Sequence, residues 1–308
     1  MEELTHTRHN HLIDPNLTIW GWEIPVYLFL GGFVAGMMIL SGVIYLRRRN
    51  QPGATVVFIL PYISLILLSL GMLALFIDLE HKLYTWRLYL TFKPLSPMSW
   101  GAWILLLVYP VLILKILINP FFLFRDVAPI SKFYKFLNAS ADRKNFIAYA
   151  NIVIGAMLGA YTGILLSALG ARPLWNSGIL WLLFLVSGLS GAAAFIHLIA
   201  PDKGEREMMA KTDNYLLAGE LFVIAFFLIS LLSSSAVHIQ AATILLSGAY
   251  APSFWGFVII AGIIIPLIIQ SLAVSHKVKH TPIAPLMVIA GGLILRFVIV
   301  YAGQLSGY

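Results

Sequence analysis

The chain has 308 residues, of which 60% are hydrophobic and only 11% charged, and its mean hydropathy is +0.90. Soluble domains carry roughly a quarter charged residues, so this composition excludes a water-soluble fold and implies a polytopic membrane protein. Cysteine is absent, which excludes disulfides, zinc–thiolate sites and cysteine-ligated iron–sulfur clusters within the protein, and the net charge of +7 is read as membrane topology rather than nucleic-acid binding.

From the N-terminus, residues 1–21 form a polar tail holding His6, His9 and His11. No basic stretch leads there into a short apolar core and cleavage site, so the first apolar segment is expected to stay as an anchor. Apolar runs long enough to cross a bilayer predict eight helices, at about 22–46, 56–77, 100–118, 146–168, 178–199, 214–235, 254–274 and 283–303. Three connections, 78–99, 119–145 and 236–253, are long enough to hold an interfacial helix. With no linker or shift in composition, residues 1–308 read as one all-α membrane domain, a tail followed by an eight-helix bundle over 22–303.

Basic residues orient the bundle. Arg47, Arg48, Arg49, Arg125, Lys132, Lys135, Arg143, Lys144, Lys203, Arg206, Lys211, Lys277 and Lys279 follow odd-numbered helices. Against these thirteen, the opposite side has five: Arg8, Lys82, Arg87, Lys93 and Arg172. The positive-inside rule then predicts a multi-pass protein of the cell inner membrane with both termini facing the periplasm or exterior. In that topology Trp20, Trp22, Trp86, Trp100, Trp103, Trp175, Trp181 and Trp255 all fall on the outer side. Aromatic belts normally occupy both interfaces, so the asymmetry leaves two readings: one-sided anchoring, or a ring-lined pocket and docking surface. Small residues four apart, Gly32/Gly36, Gly155/Gly159/Gly163 and Ser187/Gly191, are read as helix contacts rather than chemistry. A faint likeness between the first and fifth helices hints at two halves in parallel repeat.

A haem would need two imidazoles facing each other across the bundle. Only His197 lies within a predicted span; His81 and His238 sit near outer helix ends and His276 and His280 in an inner loop, so no intrinsic haem is expected. Ionisable groups inside the bilayer are functional candidates because burying a charge is costly. Arg296 lies about 20 Å along the last helix at the helical rise, a depth similar to that of Tyr161. Glu23 and Tyr27, one turn apart, open the first helix, and Asp78 and His81 end the second. With Arg172, which follows the fourth helix, these residues converge on one level in the outer part of the membrane. Glu220, two turns into the sixth helix from the inner side, either relays protons or bonds a neighbouring helix. Lys115, near the inner end of the third, is read as snorkelling to the headgroups.

This layer suits a quinone, a polar ring on a long apolar tail. Such a ligand needs lateral access from lipid, a donor to a carbonyl oxygen, and a base for the protons that oxidation of the quinol releases. Tyr161 fits the donor, Asp78, Glu23 or His81 the base, and Arg172 or Arg296 the countercharge. With no metal ligands recognisable in the sequence, the electrons would leave through a redox partner on the outer face. The rival from another class is a secondary transporter or proton-translocating module, hinted at by Glu220 and the faint repeat. Transporter sites lie near the midplane in broken helices, whereas these residues lie in the outer third and Pro266 is the kink candidate.

The stretch GAYTGILLSALGARPLWN and the LFLVSGLSGAAA after it, the DLEHKLYTWRLYLTFKPLSPMSWGAW that follows the second helix, the opening WGWEIPVYLFLGG and the closing GGLILRFVIVYAGQ occur in order over nearly the whole sequence. Together they resemble the NrfD/PsrC family of integral membrane subunits. The resemblance implies two four-helix bundles without haem or an iron–sulfur cluster, binding menaquinone or ubiquinone near the non-cytoplasmic face. It further implies a membrane anchor of a respiratory oxidoreductase, which does not act on the terminal substrate by itself. Its partners would be a ferredoxin-like subunit carrying four iron–sulfur clusters, with a molybdopterin catalytic subunit or a multihaem cytochrome beyond it. By the same resemblance, Tyr161 of the Tyr-Thr-Gly triplet reaches the quinone, Glu23 and Tyr27 form the pocket wall, and Asp78 and Arg296 handle protons. Where the family often reads D-L-G/E-R-P, this protein has Asp78-Leu79-Glu80-His81-Lys82.

Overall fold

The computed structural model of the protein describes residues 20–47, 55–118, 120, 128–275 and 281–306. Its α-helices are α1 (Glu23–Arg47), α2 (Thr55–Asp78), α3 (Trp86–Leu90), α4 (Pro97–Ile118), α5 (Ala128–Asn138), α6 (Ala141–Ser167), α7 (Leu180–Ile199), α8 (Lys203–Leu232), α9 (Ala236–Leu246), α10 (Ile265–Val274) and α11 (Ile283–Leu305). A 3₁₀ turn, Lys82–Tyr84, precedes α3, and a π-helix, Ser253–Ile264, runs straight into α10. No strand occurs among the described residues. Among the described residues eight segments are long and apolar enough to cross a membrane: α1, α2, α4, α6, α7, α8, the π-helix continued by α10, and α11. The protein is a multi-pass membrane protein. The tail residues His6, His9, His11 and Arg8, together with Arg48, Arg49, Arg125, His276, Lys277, Lys279 and His280, lie outside the described residues.

The spans agree with the apolar runs, and the differences lie where a helix continues into polar sequence. α6 starts at Ala141, capped by the Ser140 hydroxyl, which accepts from the Asp142 amide at 3.2 Å. α8 starts at Lys203 rather than near 214, because the Asp202 carboxylate accepts from the Glu205 amide at 3.1 Å and caps it. A Glu207–Lys211 pair at 2.8 Å, one turn apart, supports its exposed side. Hydropathy sees only the apolar part of such helices. Each of the three long connections holds short helix: α3 with its 3₁₀ turn, α5, and α9. Pro61 and Pro110 stand inside α2 and α4, and Pro266 stands where π-helix gives way to α10, so Pro266 has company as a point of local backbone adjustment. A proline has no N–H to continue the ladder, and in a membrane the freed groups are satisfied by neighbours or by a local change of winding.

Helix α1 is the axis of the packing. One buried cluster joins its later part to α2, α4 and α6; another joins its first turns to α7, α8, α9, the π-helix and α11. Helices α1 and α7 contribute to both clusters, and they approach closely through Gly36 and Gly188: a Cβ on Gly36 would overlap the Gly188 carbonyl, and one on Gly188 would overlap that of Gly32. On the fifth span Gly188 makes this close approach to α1, while Ser187 of the expected pair faces α11, its Oγ 3.6 Å from where a Cβ on Gly292 would stand. Gly191 only meets the Phe33 ring, 3.2 Å from where a Cβ would stand. On its other side α1 meets α6, where Gly155 faces Ala35 and Met38, and the Asn151 amide donates to the Met38 carbonyl at 2.7 Å and to Ser41 Oγ at 2.9 Å. Gly262 and Gly291 make a further close approach, between the π-helix and α11.

Lys115 overturns its expectation. It does not snorkel: it is buried, and its Nζ stands 4.2 Å from the centre of the Tyr45 ring, with no hydrogen-bond partner among the described residues. α4 turns this position towards α1 rather than towards lipid, and a cation–π contact replaces the headgroup.

Candidate functional site

The two described ends of the protein meet. The Trp20 amide donates to Gln304 Oε1 at 2.9 Å and the Gln304 side-chain amide donates to the Trp20 carbonyl at 3.0 Å, so the start of α1 is tied to the end of α11. The loop after α6 closes the same corner. Arg172 donates to the Gln304 carbonyl at 2.7 Å and the Ser306 carbonyl at 3.1 Å, which are among the last carbonyls of α11 and otherwise lack intrahelical donors. Trp175 donates to the Ile299 carbonyl at 2.8 Å, stacks on Trp20 with ring centres 5.1 Å apart, and lies flat against Gly303, where a Cβ would strike its indole. Arg172 is therefore engaged by the backbone, and its visible task is to fix this corner.

Immediately inside it, Glu23 and Tyr27 descend α1 one turn apart. Glu23 is half-buried, and its charge acts on Asp78 at the end of α2 and on Tyr301 of α11. Tyr27 is buried, and the phenols of Tyr161 and Tyr89 both act on it electrostatically. Tyr161 is buried too, with its ring and hydroxyl laid on Gly101 of α4; a Cβ there would coincide with the phenol. Tyr89 lies on α3, outside the spans, and its phenol is pushed above its usual range by burial and by Tyr109, so it stays protonated as a donor. Tyr109 in turn is within 3.4 Å of the Ser69 hydroxyl of α2. Five elements thus bring two carboxylates and a run of phenols together at the tryptophan-bearing end of α1, α2, α3, α4 and α6.

The remaining expected residues lie elsewhere. His81 is exposed, and its ring meets that of Tyr84 edge-on, with centres 6.4 Å apart. Arg296 is only 1% exposed and lies against Gly32 of α1, on a different face of that helix from Gly31. Two adjacent glycines meet the two groups: a Cβ on Gly31 would stand 3.4 Å from Thr162, the residue after Tyr161, and one on Gly32 would stand 3.3 Å from Arg296 Nη2. Arg296 donates to Ser187 Oγ at 2.7 Å and to the Phe184 carbonyl at 2.8 Å, its guanidinium lies 4.4 Å from the Phe184 ring centre, and its Nε has no partner among the described residues.

Glu220 completes that group. It shares the Ser187 hydroxyl through a hydrogen bond and interacts with the charge of Arg296. Two turns towards the basic side on α8, Asp213 is fully buried; it accepts from Ser190 Oγ at 2.8 Å and from Gln270 Nε2 at 2.8 Å, and it interacts electrostatically with Glu220. A polar line therefore runs Gln270–Asp213–Ser190 and Arg296–Ser187–Glu220 between α7, α8, α10 and α11. Sequence reasoning missed Asp213, Ser190 and Gln270, and it treated Ser187 as packing. A signal was present for Asp213: it precedes Glu220 by seven residues, which places both on one helix face. For Gly101 and Tyr89 there was none, because their importance comes from what packs on them.

Among the described residues no three His, Asp or Glu side chains converge as a metal site. A groove of about 410 Å³ along α8, lined by Gly204, Glu207, Lys211 and Tyr215, lies at the basic side, far from the phenols.

The sequence matches the family described as polysulphide reductase, NrfD, over residues 10–306. It is 31% identical to the C subunit of the polysulfide reductase of Wolinella succinogenes, over 94% of this protein and 95% of that one. It is 30% identical to protein NrfD of Escherichia coli, covering 94% and 96% of the two sequences, and 30% identical to an NrfD homolog of Haemophilus influenzae, covering 95% and 96%. With eight spans and a match from end to end, this protein belongs to the NrfD family.

Proposed function

We propose that this protein is the quinone- and quinol-binding membrane anchor of a respiratory oxidoreductase complex. The observation that carries the reading is the cluster of the buried phenols Tyr27 and Tyr161 with the neighbouring Glu23–Asp78 pair at the tryptophan-bearing end. A menaquinone or ubiquinone fits this set by its chemistry: phenols donate to its carbonyl oxygens, carboxylates accept its protons, and α2, largely facing lipid, borders the cluster. Bound there, a quinol supplies two electrons and two protons on oxidation. Tyr161 holds the head group by donation, with Tyr27 as wall and second donor. Asp78, half-buried at the end of its span, takes protons towards water, and Glu23 shares that task. Arg172 shapes the rim through its bonds to α11, and exposed His81 stands at the mouth.

Electrons leave to an iron–sulfur subunit on the same face, a four-cluster ferredoxin-like protein with a molybdopterin subunit or multihaem cytochrome beyond it. That one relative is named as a single lettered component of a reductase supports a role among other subunits. The surplus of Lys and Arg in alternate loops supports placing this face outside the cytoplasm, in the cell inner membrane. The division of the buried residues into two clusters supports an arrangement of two four-helix bundles about the α1–α7 seam.

One observation favours a second reading, a proton-translocating module. The line from Asp213 through Glu220 to Arg296 places ionisable groups deep in the membrane, away from the phenols.

The test uses the assembled complex in liposomes. Tyr161→Phe and Asp78→Asn should each lower quinol-linked kcat/KM by about 10-fold or more, the worth of a lost hydrogen bond to a reacting group, with subunit assembly intact. Unchanged quinol kinetics in both variants would reject the site. Loss of turnover in Glu220→Gln with unaltered quinone affinity would favour the second reading.

A further inference from the structure

We propose that α5 is an anionic-phospholipid binding helix, seated in the leaflet at the basic side of the protein and recognising phosphate headgroups. The inference is independent of the quinone reading.

The sequence APISKFYKFLN of α5 sorts into three strips along the helix. Ile130, Tyr134 and Leu137 recur at helical spacing and turn inward; Leu137 is buried against Ile118 and Ile147, at the ends of the spans α4 and α6. The Asn138 side-chain amide fixes that attachment, donating to the Ile118 carbonyl at 3.0 Å. These contacts hold α5 at the level where two spans leave the hydrocarbon. Pro129, Phe133 and Phe136 make a second strip at the same spacing, and it is exposed; the two rings are 55% and 56% accessible. Lys132 and Lys135 make the third strip, exposed beside the rings. Arg143 adds a third cation: it donates to the Phe136 carbonyl at 2.6 Å and lies 3.9 Å from that ring's centre.

Charge and depth together choose the occupant. An apolar strip held at the membrane boundary and flanked by cations is the pattern of a helix that buries rings in the acyl region and sets its lysines among phosphates. The adjoining start of α6 continues the exposed apolar surface through Phe146, Tyr149 and Val153, at spacings that keep them on one lipid-facing side. A soluble protein partner would have to occupy a surface continuous with that of a membrane span.

Because the sequence has no cysteine, a single label can be placed on the full-length protein. Ala139→Cys, at the exposed end of α5, would carry a bimane fluorophore in phosphatidylcholine vesicles doped with dibrominated phosphatidylglycerol or dibrominated phosphatidylcholine. The expected result is a roughly 5-fold preference for quenching by the glycerol lipid, the factor one basic residue near an anionic surface supplies. It should shrink in high salt and fall markedly in Lys132→Gln/Lys135→Gln, which leaves only Arg143, while the charge-preserving Lys132→Arg/Lys135→Arg retains it. Equal quenching by both lipids in the unaltered helix, or a preference untouched by the double glutamine variant, would overturn the proposal. So would absence of quenching by either lipid, which would mean that protein covers this face.

Discussion

Replacing Gly101 with alanine is the sharpest probe of the proposed site, because it perturbs Tyr161 without touching it. The new Cβ would coincide with Tyr161 Cζ and its hydroxyl. To restore the 3.5–4.0 Å spacing of carbon contacts the ring must withdraw by roughly 1.5–2 Å. The phenol is buried, so this withdrawal must shift a packed side chain and should cost about 1–3 kcal/mol, as overpacking does. A donor displaced by about 1 Å loses on the order of 100-fold in rate, and that is the expected fall in quinol-linked kcat/KM. The assay pairs steady-state turnover of the reconstituted complex with thermal unfolding of the purified protein. A double variant separates the two effects. In a Tyr161→Ala background nothing is left to overlap, so Gly101→Ala should then change stability by under about 0.5 kcal/mol, while turnover stays low. Tyr161→Phe keeps the ring carbon that collides and should leave most of the strain in place. If Gly101→Ala leaves both melting and kinetics at native values, Tyr161 does not rest on α4 and the site is misplaced.

Three further outcomes test the frame around the site. Ser187→Ala deprives Arg296 and Glu220 of the hydroxyl they share and should lower unfolding stability by about 1–3 kcal/mol, with Ser187→Thr recovering much of it; chemical unfolding in mixed micelles measures both. Gly188→Ala forces a Cβ onto the Gly32 carbonyl and should destabilise the α1–α7 seam by about 1–3 kcal/mol, readable as a lowered melting temperature; a neutral result would mean that the helices are farther apart. Arg172→Ala removes two charge-assisted bonds to the end of α11 and should cost about 1.5–3 kcal/mol, seen as faster proteolytic trimming of the C-terminal end.

Hydropathy made the eight spans legible, since a run of about 20 apolar residues has few other fates. It could not place the start of α8, because Asp202 and Glu205 begin a helix by capping, not by hydrophobicity. The same blindness hid Asp213, whose polar surroundings read as a loop and which sits on the face of Glu220 only once the helix extends to it. Depth was legible from counting residues along each span, so Tyr27 and Tyr161 emerged as neighbours. Lateral position was not: residues at one level can stand on different faces of α1, and Arg296 proves to lie against Gly32 with Ser187 and Phe184. The tryptophan asymmetry likewise divides on inspection. Trp175 is a buried donor stacked on Trp20, whereas Trp22 and Trp86 are exposed, so anchoring and internal structure both draw on it.

The Arg296–Ser187–Glu220 and Asp213–Ser190–Gln270 groups are hard to explain as stabilising features. Taking an ion out of water costs several kcal/mol even after relaxation, and well-packed apolar side chains of similar volume are often as stable as a buried ionic group. Here the compensation is incomplete: Arg296 Nε and Gln270 Oε1 are buried without partners among the described residues, and a serine hydroxyl stands where a direct ion pair would attract more strongly. Stability alone would favour leucine at these positions. The groups also lie on shared structure with the phenols, since the Gly31–Gly32 segment of α1 touches both Thr162, the residue after Tyr161, and Arg296. Between the phenols and Arg296, this part of α1 is glycine backbone, with Gly31 against Thr162 and Gly32 against Arg296. That places the cost of the buried charges where it can be used, one helix away from the proposed quinone.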